Sequence, residues 1–425
     1  MHDNKITFTT KVCEQIRFKT AHYVIKEELE THIDERVYDY IADGFDKQEA
    51  TVKAIQCMGD PFELGCQLNK IHKPYTEWTV ICSIILLSLF GAGILFFIGD
   101  LPFGNGSIFG QRQIIYTVLG WGLLVAIIFF DYTKLNEING KIFILGLLLT
   151  FITVLFGTVD SGVLYLRVGI ISFKTVSICN FMFMIAIIVE LNKKRGEGKA
   201  GFIKIGGLCA IALTTLVINR NFDLLFSMLI IYAIIFTITL RKKHFHIQQG
   251  WLYVSITYGI MLISLLVLTL YILPRDDLQF KNYLINSQWI GESIFLNANG
   301  WVHLPENWTD YFFTIIIAHF GRITGYTLIS VFSIFLGTMI FKSIKIKNCL
   351  GFYLAIGSSL YLLINFIINI LSCLGLIGNV TSSLPFVSFG TTDYITNILA
   401  AGLFLSIWRR HSIVPADMID SKIIS

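Results

Sequence analysis

Residues 304–325 read LPENWTDYFFTIIIAHFGRITG. A polar segment ending at Asp310 runs directly into an apolar one, and this junction sets the reading of the chain. Downstream, a helix enters a bilayer. Upstream lies the longest polar gap in the apolar part of the sequence. A carboxylate at that level is costly to desolvate, so it points to chemistry on a membrane-bound substrate. A second reading is the one that spacing alone favours: Thr309 or Asp310 caps the helix by accepting hydrogen bonds from its first free N–H groups.

Working outward, the apolar run is one of many. Of 425 residues, 54% are hydrophobic and 15% charged, and the mean hydropathy is +0.67. A soluble domain carries about 25% charged residues. The chain therefore reads as an all-α polytopic membrane protein with about ten spans, each needing about 20 apolar residues. They fall near 76–98, 112–131, 141–158, 173–191, 202–219, 222–240, 251–272, 311–341, 350–372 and 390–408. Lys193-Lys194-Arg195, Arg241-Lys242-Lys243, Lys342, Lys345, Lys347 and Arg409-Arg410 cluster on one side. The positive-inside rule places that side, and both termini, in the cytoplasm. The long loop at about 273–310 then lies outside, with Asp310 at its end. The net charge of +4 gives no reason to expect nucleic acid. The eight cysteines form no CxxC pair and no metal spacing.

Residues 1–74 are charged and polar, and no leader peptide is expected. They read as a small cytoplasmic helical domain ahead of the membrane domain, 75–425. Ala21, Ile25, Leu29, Ile33, Val37 and Ile41 recur at steps of four, a helix stripe. Gly44 is the stop. Asp46 caps the next helix, with Glu49 in capping-box order. His32 and Asp34, two apart, point to different faces and are read as solvated rather than as metal ligands.

The outer loop holds Arg275, Asp276, Asp277, Glu292, His303, Glu306 and Asp310. Trp289, Trp301 and Trp308 fit an interfacial belt. A second polar cluster, TSSLPFVSFGTTD at 381–393, contains Ser388, Gly390 and Thr391 and lies between the last two spans. Its hydroxyls either line a cavity or bind a head group, or the segment is a re-entrant turn with a satisfied backbone. Asp393 stands at a helix start, where it is a candidate cap. Gly91, Gly120, Gly122, Gly206 and Gly207 would allow close helix approach. No P-loop, GxSxG or HExxH motif occurs, which removes support for nucleotide-driven transport and common hydrolase sites.

Taken together, these segments resemble the SEDS family of shape, elongation, division and sporulation proteins (RodA, FtsW, SpoVE). Gly110-Gln111-Arg112-Gln113 through Asp131-Tyr132 resembles the family's RQ…DY segment. Phe222-Asp223-Leu224 resembles its Pro-Asp-Leu. LPENWTDYFF, 304–313, resembles its LPExHTD motif. Asn369-Ile370, Gly375-Leu376 and LPFVSFG, 384–390, fall in register with its last motif. The prefix resembles a short domain found before bacterial permease-like proteins, which implies a regulatory or docking module.

The resemblance implies a peptidoglycan glycosyltransferase of the bacterial cytoplasmic membrane. It would polymerise lipid II into undecaprenyl-pyrophosphate-linked glycan beside a class B penicillin-binding transpeptidase, surrounded by membrane lipids. Asp310 would be the catalytic base. Glu306, Thr309, Arg275, Ser388, Gly390 and Thr391 are the candidate substrate-binding residues, and a divalent cation, magnesium or manganese, is the candidate cofactor, with no metal ligand assigned. The chain departs from the family where its QPSExxK segment falls on 174–180: the acid is Ser177 and the lysine is Asn180. A charge pair expected in the central cavity is therefore missing at its usual positions. The family's Glu-Glu after the acid is Ala318-His319, its His before Thr-Asp is Trp308, and its Gly-Ser-Ser is Thr391-Thr392-Asp393. A scaffold that holds lipid II or a transpeptidase without turnover is the alternative expectation, and a lipid flippase the third. The flippase predicts ionisable residues strung across the bilayer.

Overall fold

The computed structural model describes residues 2–18, 21–71, 73–98, 100–101, 104–160, 163–168, 171–245, 253, 255, 258–259, 284–292, 308–377 and 382–414. Two compact units emerge. One holds residues 1–76 with 346–349 and 408–425; the other holds 77–345 and 350–407.

The first unit is built from α1 (His2–Glu14), α2 (His22–Ala42), α3 (Lys47–Cys57) and α4 (Pro61–Ile71). The stripe of α2 is its core: Ala21, Ile25, Leu29, Ile33 and Val37 are buried with Val12, Ile16, Ala50 and Ala54. Ile41 continues the stripe but is exposed, because the helix runs out one residue later. Gly44 takes φ +94°, a left-handed stop that favours glycine. Asp46 accepts from the Gln48 N–H at 3.2 Å, and Asp60 from the Glu63 N–H at 3.1 Å. His32 meets Glu35, while Asp34 pairs with Lys5, two different faces as the spacing requires. Ile413, far along the chain, joins this core.

The second unit is a helical bundle. Its helices are α5 (Trp78–Phe97), α6 (Gly106–Phe129), α7 (Leu135–Phe156), α8 (Thr175–Lys193), α9 (Gly198–Ile218), α10 (Phe222–Arg241), α11 (Phe312–Phe320), α12 (Arg322–Ile344), α13 (Cys349–Cys373) and α14 (Thr391–Arg410). Eight helices among the described residues are long and apolar enough to cross a membrane, so the chain is a multi-pass membrane protein. The expected span at 390–408 is helical as α14, but Asp393, Asn397, Arg409 and Arg410 dilute its apolarity. The expected span at 251–272 falls almost wholly outside the described residues.

The expected single span 311–341 is two helices. They part at Gly321, φ +92°, where a Cβ would lie 2.6 Å from the carbonyl oxygen of Trp289. The apolar run continues across the break, so hydrophobicity alone cannot mark it. Arg322 fixes the same corner through Ser287 Oγ at 3.0 Å and the Ile285 carbonyl at 2.8 Å.

Two helices are central. The apolar windows of α8 and α13 are each 78% buried, against 22% for α6 and α7, which face outward. Small sheets decorate the all-α body: β1 (Asp100–Leu101) pairs with β2 (Gly104–Asn105), and β3 (Thr158–Asp160), β4 (Val163–Val168) and β5 (Ile171–Phe173) form an antiparallel meander. Its register pairs Thr158 with Tyr165 and Arg167 with Ser172. Close approach is used at Gly91, where a Cβ would meet the Val387 carbonyl at 2.3 Å, and at Gly120, against the Tyr394 ring at 2.5 Å. Gly122, Gly206 and Gly207 face open space, so the expected close packing does not occur there.

Candidate active site

Asp310 sits in a turn that leads into α11. The N-cap residue of that helix is Tyr311, whose side chain makes no cap bond. The main chain here is held from α13. The Asn369 amide donates to the Asp310 carbonyl at 2.8 Å and also to the Ser382 carbonyl. The Cys373 thiol faces the Asp310 carbonyl at 3.8 Å. One residue pair earlier, the Trp308 carbonyl accepts from the Phe389 N–H at 3.0 Å. The Trp308 ring stacks on Phe109 at 5.2 Å, which meets Phe389 edge-on. The described part of the first motif, 308–313, is thus stitched to the second, 384–390.

The second motif is a tight turn. The Leu384 N–H donates to Ser388 Oγ at 2.9 Å, and the Ser388 N–H to the Leu384 carbonyl at 3.1 Å. Phe386 adopts φ +64°. The turn rests on α5 at Gly91, where only a residue without a side chain fits.

Beside these segments lies a small polar cleft. Lys174, Asp223, Tyr361, Asn365, Ser382, Ser383, Asp393 and Asn397 line it with Leu224. The starts of α8, α10 and α14 converge there. Asn221 caps α10 by accepting from the Leu224 N–H at 3.1 Å, which sets Asp223 in the first turn. Lys174 immediately precedes α8, and its N–H donates to Thr392 Oγ1 at 3.1 Å. The Ser177 hydroxyl donates to Asp393 Oδ1 at 2.8 Å. Burial favours neutral Lys174, but Asp393, Tyr165, Asp310 and Asp223 outweigh it, so its pKa is raised and the ammonium persists.

The family's pair is missing at its usual positions, as expected, yet charged groups still line the cleft. The acid has not vanished; a carboxylate reaches the Ser177 site from Asp393, and Lys174 supplies the cation. The lysine position itself is neutral: Asn180 is buried, with no partner for its amide atoms. Likewise, His319 at the family's second acid position faces Glu292 at 3.6 Å.

Of the expected site residues, Asp310 is tied through Asn369 to Ser382, and Thr309 stands between Asp310 and Trp308, which meets Phe389. Glu306 and Arg275 lie outside the described residues. Ser388 is engaged in its own turn, and neither it nor Gly390 nor Thr391 lines the cleft; the neighbouring Thr392 makes the contact to Lys174 instead. Tyr361, Asn365 and Asn397 were not foreseen. They sit at helical spacing within apolar spans, and an amide at that depth is the signal that would have flagged them. Among the described residues, no group of three or more His, Cys, Asp or Glu is arranged to hold a metal ion.

Comparison with known proteins agrees with this architecture. The family described as cell cycle protein, FtsW, RodA and SpoVE, matches residues 77–413. A Coxiella burnetii protein named "Probable peptidoglycan glycosyltransferase FtsW" is 25% identical over 367 residues, covering 80% of this chain and 97% of that one. An Enterococcus hirae protein of the same name is 43% identical over 110 residues, 25% of this chain and 27% of that one. The Thermus thermophilus rod shape determining protein RodA superposes with TM-score 0.60 at 15% identity, covering 79% of this chain and 97% of that one. A chain solved for the structural coordination of polymerization and crosslinking by a peptidoglycan synthase complex gives TM-score 0.62 at 16% identity, covering 79% and 98%.

Proposed function

Since this chain belongs to the FtsW, RodA and SpoVE family of cell cycle proteins, we propose that it is a peptidoglycan glycosyltransferase that polymerises lipid II, with Asp310 as its base. The acceptor's 4-hydroxyl attacks the anomeric carbon of the lipid-linked donor. Asp310 takes the hydroxyl proton as the new glycosidic bond forms. The bond from that carbon to the pyrophosphate breaks, and the lipid pyrophosphate leaves with the electron pair. The configuration inverts. The reading further places this end of the bundle at the outer face of the bacterial cytoplasmic membrane, with both termini in the cytoplasm, and a class B penicillin-binding transpeptidase alongside.

The observation that carries the reading is the clamp on Asp310. Asn369 fixes its main chain beside a cleft that keeps both an ammonium and carboxylates. A non-turning scaffold was expected from loss of those charges, and their presence supports turnover. Glu190 is hydrogen-bonded by Asn139 at 2.9 Å at the opposite end of α8 from Lys174, which gives no support to an ionisable track for a flippase.

The test is lipid II polymerisation by the purified protein, with and without class B transpeptidases and with magnesium, manganese or chelator. Glycan strands should form with wild type and fall by about 10²–10⁴-fold with Asp310→Ala, the usual contribution of a general base. Strands made equally well by the variant would refute the assignment. Absence of strands under every pairing, with lipid II still bound, would establish the scaffold instead.

A further inference from the structure

One helix has an end in each unit. α14 opens with Thr392, Asp393 and Tyr394. Thr392 Oγ1 accepts from the Lys174 N–H and Asp393 from the Ser177 hydroxyl, while the Tyr394 hydroxyl donates to Ser88 Oγ at 3.0 Å. The helix ends at Arg410, about 25 Å of α-helix after Asp393. Between these ends it is tightly enclosed. Every residue from Ala400 to Ile407 is buried. A Cβ at Gly402 would stand 3.0 Å from Cγ2 of Ile127, and the Ser406 hydroxyl donates to the Phe130 carbonyl at 2.5 Å. A helix packed this closely passes a displacement on along its axis instead of absorbing it in voids.

The far end is held as firmly as the near one. From Trp408 onward the chain belongs to the first unit. The Tyr75 N–H donates to the Arg409 carbonyl at 3.3 Å. The His411 ring stacks on Trp408 at 4.0 Å and meets Tyr75 at 5.5 Å. The chain then turns, and the N–H groups of Ile413 and Val414 both donate to the Arg410 carbonyl, at 3.0 and 3.1 Å. This turn sets Ile413, 3% exposed, into the apolar cluster of Val12, Ile16, Ile25 and Ile33. A side chain from the far end of the sequence thus completes the core of the prefix.

We propose that Ile413 pegs α14 to the prefix, and that the prefix acts on the site through this helix. An agent that opens the prefix core, or displaces Ile413 from it, loosens the contact of Asp393 with Ser177 and slows the reaction. The effect on rate rests on the glycosyltransferase reading above; the mechanical coupling does not. The two ends lie too far apart to influence each other by contact, and substitutions at such distances act independently unless something joins them. The element that joins them here is α14.

The experiment combines hydrogen exchange on the full-length protein with kcat and KM for lipid II polymerisation. The variants are Ile413→Ala, Ile413→Leu, Ser177→Ala and the double variant Ile413→Ala with Ser177→Ala. Ile413→Ala should quicken exchange along α14 as far as residues 391–396. It should lower kcat by about tenfold, within the usual range of couplings between distant sites, and leave KM unchanged. Ile413→Leu keeps the volume and should behave as wild type. Ser177→Ala releases the same helix from its other end, so the double variant should be no slower than the slower single one. Faster exchange confined to 408–414, or rate losses that multiply in the double variant, would overturn the proposal. So would a prefix unfolded by Ile413→Ala, seen as protection lost across α1–α4, while residues 391–396 stay protected. If wild type makes no strands, the glycosyltransferase reading fails, and the exchange data alone decide whether the peg exists.

Discussion

The hydroxyl of Ser177 donates a 2.8 Å hydrogen bond to Oδ1 of Asp393 across 216 residues of sequence. It joins the first turn of α8 to the first turn of α14. The carboxylate could sit on either helix and still face the same hydroxyl. The exchange Ser177→Asp with Asp393→Ser should therefore retain polymerisation within about tenfold, whereas Ser177→Asp alone sets two carboxylates against each other and Asp393→Ser alone removes one of the two acids that line the cleft with Lys174. Strand length and yield from lipid II, measured for both single variants and the pair, check this. A double variant no better than the worse single one would mean that the two positions are not interchangeable.

Asn369 uses one amide to hold two carbonyls, those of Asp310 and Ser382. Replacement by Leu keeps the bulk and removes both bonds, leaving two carbonyls in a poorly hydrated place. About 1–3 kcal/mol of local stability should be lost. Polymerisation should fall while the apparent melting temperature of the detergent-solubilised protein drops only modestly. An activity equal to wild type would show that the clamp does not set Asp310.

Gly91 offers no space: a Cβ would stand 2.3 Å from the Val387 oxygen and 2.7 Å from its Cα. Gly91→Ala should displace the 384–390 turn and reduce polymerisation. Gly122→Ala, where nothing lies within 4 Å, should behave as wild type. Thermal unfolding of the two variants in parallel provides the comparison, and equal behaviour would contradict the packing described.

Ile33 is fully buried in the prefix core with Val12, Ala50 and Leu29. Ile33→Ala removes that packing and should destabilise the first unit by about 2–5 kcal/mol. Hydrogen exchange on the full-length protein should show faster exchange across α1–α4 with α8 and α13 unchanged. Protection lost uniformly throughout would contradict an independent core in that unit.

The parts of the fold that were legible in the sequence are those where burial on one face leaves a period. The α2 stripe from Ala21 to Val37 and the spans α5 to α10 follow directly from apolar spacing. The break at Gly321 was not legible, since Ile315, Ile316 and Ile317 before it and Ile323 and Leu328 after it read as one apolar run. The meander at 158–173 was missed because strands of three to six residues carry too little alternation beside long helices. Of the site, Asp310 was legible through its motif. The meeting of Lys174 and Asp393 in one cleft was not, because each looks like a helix-end residue alone. The available clue was that both stand at helix starts on the same side, where a charge needs a partner.

The clamp of Asn369 on the Asp310 carbonyl grips the backbone and not the carboxylate. Any residue at 310 presents that same carbonyl. A chain whose acid has been replaced would therefore keep its outline and its seat beside other proteins. Under the proposed function, a cell that also made the intact form should be harmed by such a chain in proportion to its dose, because the chain would occupy assembly sites without extending glycan.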